Sequence, residues 1–151
     1  MRHLFPGLIL LAALALPATA QETAAVLPET RTMTDATPLP AAEADLGTYL
    51  WTARPVVVFA DSDADPRFVE QMELLGRGTS ALEERDVVVI TDTDPAARSA
   101  IRQKLRPRGF MLVLIGKDGG IKLRKPAPWD VRELSRVIDK MPMRLQELRE
   151  R

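Results

Sequence analysis

The chain has 151 residues, with 21 basic and 21 acidic side chains, a single histidine and no cysteine. The missing thiol excludes disulfides, thiol redox chemistry, thiolate metal sites and a lipid attached at a cleavage-point cysteine. The one histidine, His3, lies in a stretch expected to be cut away, which also removes histidine-dependent triads and ordinary zinc sites.

Residues 1–20 read as a secretory signal peptide. Arg2 and His3 form a charged start, Leu4 to Leu16 an apolar run too short to span a bilayer, and Ala18-Thr19-Ala20 a cleavage site before Gln21. The mature protein is therefore expected in the periplasm or outside the cell, with no membrane span after cleavage. Residues 21–44, rich in Thr, Ala, Pro and Glu without an apolar period, read as a disordered linker. Order is expected from Asp45, where Leu46, Tyr49, Leu50 and Trp51 suit a short amphipathic turn and Trp51 a core or lid position.

Val56 to Ala60 is a continuous apolar run of strand length. Asp65-Pro66 then supplies an N-cap and a first-turn proline for a helix whose face is Phe68, Met72, Leu75, Thr79 and Leu82, with a break expected at Gly76 or Gly78. The unit repeats in shorter form. Val87 to Ile90 reads as a strand, Asp94-Pro95 as a helix start, and Ala97, Ile101 and Leu105 as a helical face.

Phe110 to Ile115 is the most apolar stretch, and Asp118-Gly119-Gly120 offers the turn of a hairpin whose return strand alternates Ile121 and Leu123 with Lys122 and Arg124. Asp130 opens a last helix through Val131, Leu134, Ile138 and Met141, and Pro142 stops it. Residues 148–151 form a tail. The order β-α-β-α-β-β-α over residues 45–147 predicts an α/β, thioredoxin-like three-layer sandwich on a four-stranded mixed sheet.

Several of these stretches together resemble a bacterial family known as domain of unknown function 4174. They are Leu50-Trp51, Arg54 before V-V-V-F-A, Glu84-Arg85-Asp86 before V-V-V-I, I-G-K-D-G-G-I-K-L-R from Ile115 to Arg124, and I-D-K-M-P-M-R-L-Q-E from Ile138 to Glu147. The resemblance implies a thioredoxin-like or peroxiredoxin-like fold and export, and a similarity to modules of vertebrate extracellular matrix proteins. It carries no activity with it.

Three constellations invite a functional reading. Parallel strands would bring Asp61, Asp63, Asp92 and Asp94 to one end of the sheet, where they suit a loose cation site or surface turns and helix caps. The D-x-D-x-D run fails as an EF-hand loop, because Pro66 and Met72 stand where glycine and glutamate are required. V-F-A-D-S-D also resembles the strand end of haloacid-dehalogenase-type phosphatases, with Asp61 as nucleophile and Asp63 as general acid.

The second constellation is basic. Charge is about −10 over residues 21–97 and about +9 over residues 98–144, so either the halves neutralise each other or two charged faces exist. Lys117, Lys122, Arg124, Arg132 and Arg136 form the candidate anion-binding face, suited to an acidic protein or an anionic envelope or matrix polymer. Nucleic acid is not expected, since few aromatics are available to stack on bases. The third constellation is Met141, Pro142, Met143 and Arg144, a candidate docking end.

The sequence calls for no cofactor and no catalytic residue. It reads as an exported, non-catalytic, thioredoxin-like binding or envelope-associated module. The alternative is a metal-assisted, phosphatase-like carboxylate enzyme centred on Asp61 and Asp63.

Overall fold

A computed structural model describes residues 37–151. The expected signal peptide, its expected cleavage after Ala20 and the expected linker up to residue 36 lie outside the described residues.

Among the described residues, five strands form one mixed sheet in the order β1-β3-β2-β4-β5. β2 (Arg54–Phe59) and β3 (Val87–Asp92) run parallel; β4 (Met111–Ile115) is antiparallel to β2, and β5 (Ile121–Lys125) antiparallel to β4. The strand beyond the four expected is β1 (Leu39–Pro40), which pairs in parallel with Ile90 and Thr91. It falls within the stretch read as linker. Two residues are too few to give a period, and Pro40 reads as a breaker when its partner strand is unknown.

Side chains on the three central strands alternate between two cores, as the pleat requires. Val56, Val58, Val87, Val89, Leu112 and Leu114 face one side, under α1 (Pro66–Arg77), α2 (Thr79–Glu83) and α4 (Val131–Asp139). Val57, Phe59, Val88, Ile90, Val113 and Ile115 face the other, under Tyr49, Ile101 and Leu105. Such burial contributes about 1.5–3 kcal/mol per large aliphatic side chain. A sheet covered on both faces explains why these runs read as unbroken apolar sequence.

Helix starts follow the expected chemistry in most places. Asp65 caps α1 through the Arg67 N–H with Pro66 in the first turn, and Asp130 caps α4 through the Arg132 N–H. The start after β3 differs. Asp94 caps only a short 3₁₀ turn, Pro95–Ala97, and α3 (Ala100–Leu105) begins one step later with Ser99 as its cap. Met141 precedes a further helix, α5 (Pro142–Arg149), so Pro142 both ends one helix and begins another.

The first long helix breaks at Gly78, as the glycines suggested. An added Cβ at Gly78 would lie 2.5 Å from Val131 Cγ1, so the break lets α4 approach closely; at Gly76 a Cβ would meet nothing within 4 Å. Gly78→Ala is therefore expected to cost about 1–3 kcal/mol through overpacking. Gly76→Ala, in the interior of α1, should gain about 0.5–1 kcal/mol. Urea unfolding of both variants checks the contrast, and shifts of the same sign would refute it.

Candidate functional site

The carboxylates at the C-terminal end of β2 and β3 do not converge. Asp92 is buried and bound on every side: Arg102 donates from Nε at 3.0 Å and from Nη2 at 2.8 Å, and Ser99 Oγ donates at 2.5 Å. Arg102 also reaches the carbonyls of Ala60 and Asp92, at 2.7 and 3.0 Å, and stands 3.7 Å from Asp61. A guanidinium thus occupies the position between β2 and β3 that a cation would need. Asp63 is exposed and contacts only the neighbouring Ser62, while Asp94 is engaged with the amides of Ala96 and Ala97. Among the described residues, no group of three or more Asp, Glu, His or Cys is placed to hold a metal ion.

At the opposite end of the sheet lies a network that the sequence reading left unassembled. Arg54, at the start of β2, is fully buried. Its Nη1 donates to the Arg85 carbonyl at 2.9 Å and its Nη2 to Glu147 Oε1 at 2.8 Å. Lys117, after β4, reaches Asp86 Oδ2 at 2.8 Å and Glu147 Oε1 at 2.9 Å. Arg85 forms a two-pronged pair with Asp139, at 2.9 and 2.8 Å, and donates to the Ala81 carbonyl at 2.8 Å. Buried Arg144 closes the set against Glu147 at 3.3 Å and Asp139 at 3.6 Å.

The local backbone serves this arrangement. Asp86 adopts a left-handed φ of 52°, turning the chain from α2 into β3, and its carbonyl accepts from the Arg54 N–H at 2.7 Å. Burial alone would raise the Glu147 carboxyl. The hydrogen bonds from Arg54 and Lys117 outweigh it and hold the group at about 2. The Arg85 fork likewise holds Asp139 below the usual carboxylate range.

This network redistributes the candidate residues. Lys117 belongs to it, not to an exterior anion-binding face. Lys122 pairs with Asp118 at 2.6 Å, and Arg124 donates to the Leu105 carbonyl at 2.8 Å. At the candidate docking end, Met141 and Arg144 are buried and Met143 half-buried, leaving Pro142 as the exposed member. Trp51, expected in the core or as a lid, is 68% exposed.

Arg132 and Arg136 remain. They line a groove of about 710 Å³ between α1–α2 and α4, together with Arg77, Ser135 and the Arg85–Asp139 pair. Neither their guanidinium groups nor that of Arg77 has an ion-pair or hydrogen-bond partner among the described residues, and the buried Ser135 hydroxyl is likewise without one. Arg77 and Ser135 escaped the sequence reading because nothing in it aligned the end of α1 with the middle of α4. A hydroxyl four residues from Asp139 on an amphipathic helix was the only signal available.

Two predictions follow from these contacts. Glu147→Gln should cost about 3 kcal/mol near neutral pH, since a carboxylate held at about 2 instead of its ordinary 4.5 stabilises the fold wherever it is ionised. The depressed value fixes the sign: this contribution is full above the unfolded value and fades as pH falls from about 4.5 to about 2. Denaturant unfolding across that window should show a flatter pH dependence in Glu147→Gln, and an unchanged slope would sink the assignment. Separately, Asp92→Ala is expected to cost about 3–5 kcal/mol by stranding Arg102, whereas Asp63→Asn should change stability by less than about 0.5 kcal/mol. Comparable losses in the two variants would contradict this division.

The comparisons agree with this architecture. The structure is similar to a reduced 2-Cys peroxiredoxin of Plasmodium vivax, with a TM-score of 0.53 and 14% identity over 72% of this chain and 86% of that one. It is also similar to Plasmodium yoelii Prx1a modified at its N-terminus, at TM-score 0.51, 14% identity and coverages of 71% and 81%. A third similar structure is Plasmodium yoelii thioredoxin peroxidase I, at TM-score 0.51, 14% identity and coverages of 71% and 80%. At that identity the likeness establishes the thioredoxin-like fold alone. No curated protein matches the chain by sequence. Residues 45–147 match the model of a family described as a domain of unknown function, and the chain belongs to that family, DUF4174.

Proposed function

We propose that this domain is an exported, non-catalytic binding module of thioredoxin-like fold, taking an anionic envelope or matrix polymer in the groove between α1–α2 and α4. The observation that carries the reading is the contrast among its cations. Arg54, Arg85, Arg102, Lys117, Lys122 and Arg144 are engaged by carboxylates of the same chain, whereas three of the cations whose charged groups have no partner among the described residues, Arg77, Arg132 and Arg136, converge on one groove. Three guanidinium forks beside an unsatisfied hydroxyl suit sulfate, phosphate or carboxylate oxygens.

Export is supported by the N-terminal sequence pattern. A non-catalytic role is supported by the absence of cysteine on a fold shared with a 2-Cys peroxiredoxin. No observation favours the carboxylate enzyme, since Arg102 neutralises Asp92 and approaches Asp61.

Thermal unfolding of the full chain with dextran sulfate or polyphosphate at two salt concentrations tests the proposal. A polyanion at 100 times its dissociation constant should add about 2.7 kcal/mol, a rise of roughly ten degrees for a domain of this size. The rise should shrink at the higher salt and vanish in R132E/R136E, while K122E leaves it in place. A rise that survives R132E/R136E would move the binding elsewhere, and no rise would end the reading.

A further inference from the structure

On the opposite face of the sheet, the end at which β2 begins carries an apolar cavity of about 190 Å³. Leu46, Tyr49 and Leu50 form one wall, Leu105 another, and Ile115 and Ile121 the floor and far side. The cavity is built on constrained backbone. Gly119 has a φ of 75°, and a Cβ there would stand 2.7 Å from Leu50 Cδ2, so only glycine lets the hairpin turn close on Leu50. Trp51 is held at a φ of 64°, unusual for a bulky side chain, and its N–H donates to the Lys117 carbonyl at 2.7 Å.

These ties fix the walls and leave apolar side chains at the mouth uncovered. Leu50 is 42% and Ile121 46% exposed. Apolar cavities of about 150 Å³ lined by Leu and Ile accept a single aromatic ring. The one charged side chain in the lining is Lys104, exposed and without a partner among the described residues.

From this juxtaposition we propose that the cavity between Leu50, Leu105 and Ile121 binds a small aromatic monocarboxylate. Its ring is buried among these side chains and its carboxylate meets the Lys104 ammonium. The site is separate from the arginine groove, which lies on the other face of the sheet.

The test is titration of the full chain with phenylacetate and with its neutral isostere phenylacetamide, followed by amide resonance shifts. Phenylacetate should move Gly116, Gly119 and Ile121 saturably, and phenylacetamide should bind about threefold more weakly, the increment of one exposed ion pair. Lys104→Gln should erase that difference and leave phenylacetamide binding as it was. Ile121→Glu, at an exposed position on an outer strand, sets a carboxylate in the wall and should abolish the shifts. R132E/R136E should leave them intact, which separates this site from the groove. The proposal is overturned if phenylacetate moves none of the three amides, if acid and amide bind equally, or if either Lys104→Gln or Ile121→Glu behaves as the parent chain.

Discussion

Arg54 is the group on which the rest of one end of this domain depends. It is a buried guanidinium at the first residue of a central strand, and removing it from water costs several kcal/mol that the hydrogen bonds of Nη1 and Nη2 offset, while its Nε has no partner among the described residues. That offset comes from elements far apart in sequence. The Arg85 carbonyl lies at the junction of α2 and β3, and the Glu147 carboxylate on α5. Lys117, at the hairpin, shares the same Glu147 oxygen. Helices that otherwise meet the sheet through non-directional apolar contacts thus acquire one register. That coupling is why α5, with little apolar face of its own, is held against the body by Met141, Arg144 and Glu147.

The stretches that carry the family resemblance are also the stretches that supply this network. Arg54 begins one strand, Arg85 and Asp86 precede another, Lys117 follows the third, and Asp139, Arg144 and Glu147 belong to the closing segment. Arg54, Asp86 and Lys117 lie at the ends of apolar runs, where a chain leaving a two-sided core must place polar groups. Burying them together joins these segments into one structural unit, from which Arg77, Arg132 and Arg136 stand apart.

The central elements were legible because burial on both faces writes itself as unbroken Val, Leu and Ile, and because Asp-Pro and Asp-Gly-Gly are strong local signals. Charged partners were not legible. A carboxylate near an arginine in sequence says nothing about the arginine it meets across the fold, so Asp92 read as one of four cation ligands and is bound by Arg102. Gln71 shows the same limit. Its buried amide donates to the Trp129 carbonyl at 2.9 Å and accepts from the Trp129 N–H at 2.8 Å, clamping a loop 58 residues away. Lys117 and Arg144 were misplaced for a related reason: long basic side chains are usually surface groups, and their burial depends on partners that periodicity does not encode.

The two margins of the sheet have a consequence for how copies of this chain meet. An open margin offers free backbone groups to any other strand. Here β1 closes one side with only two residues, the second of them Pro40, which has no N–H to offer. On the other side β5 presents Lys122, Arg124 and Lys125, whose like charges would face each other if two sheets joined edge to edge. The mixed sheet is thereby finished at both ends, and a crowded solution of the domain meets a barrier to growing it strand by strand into an aggregate.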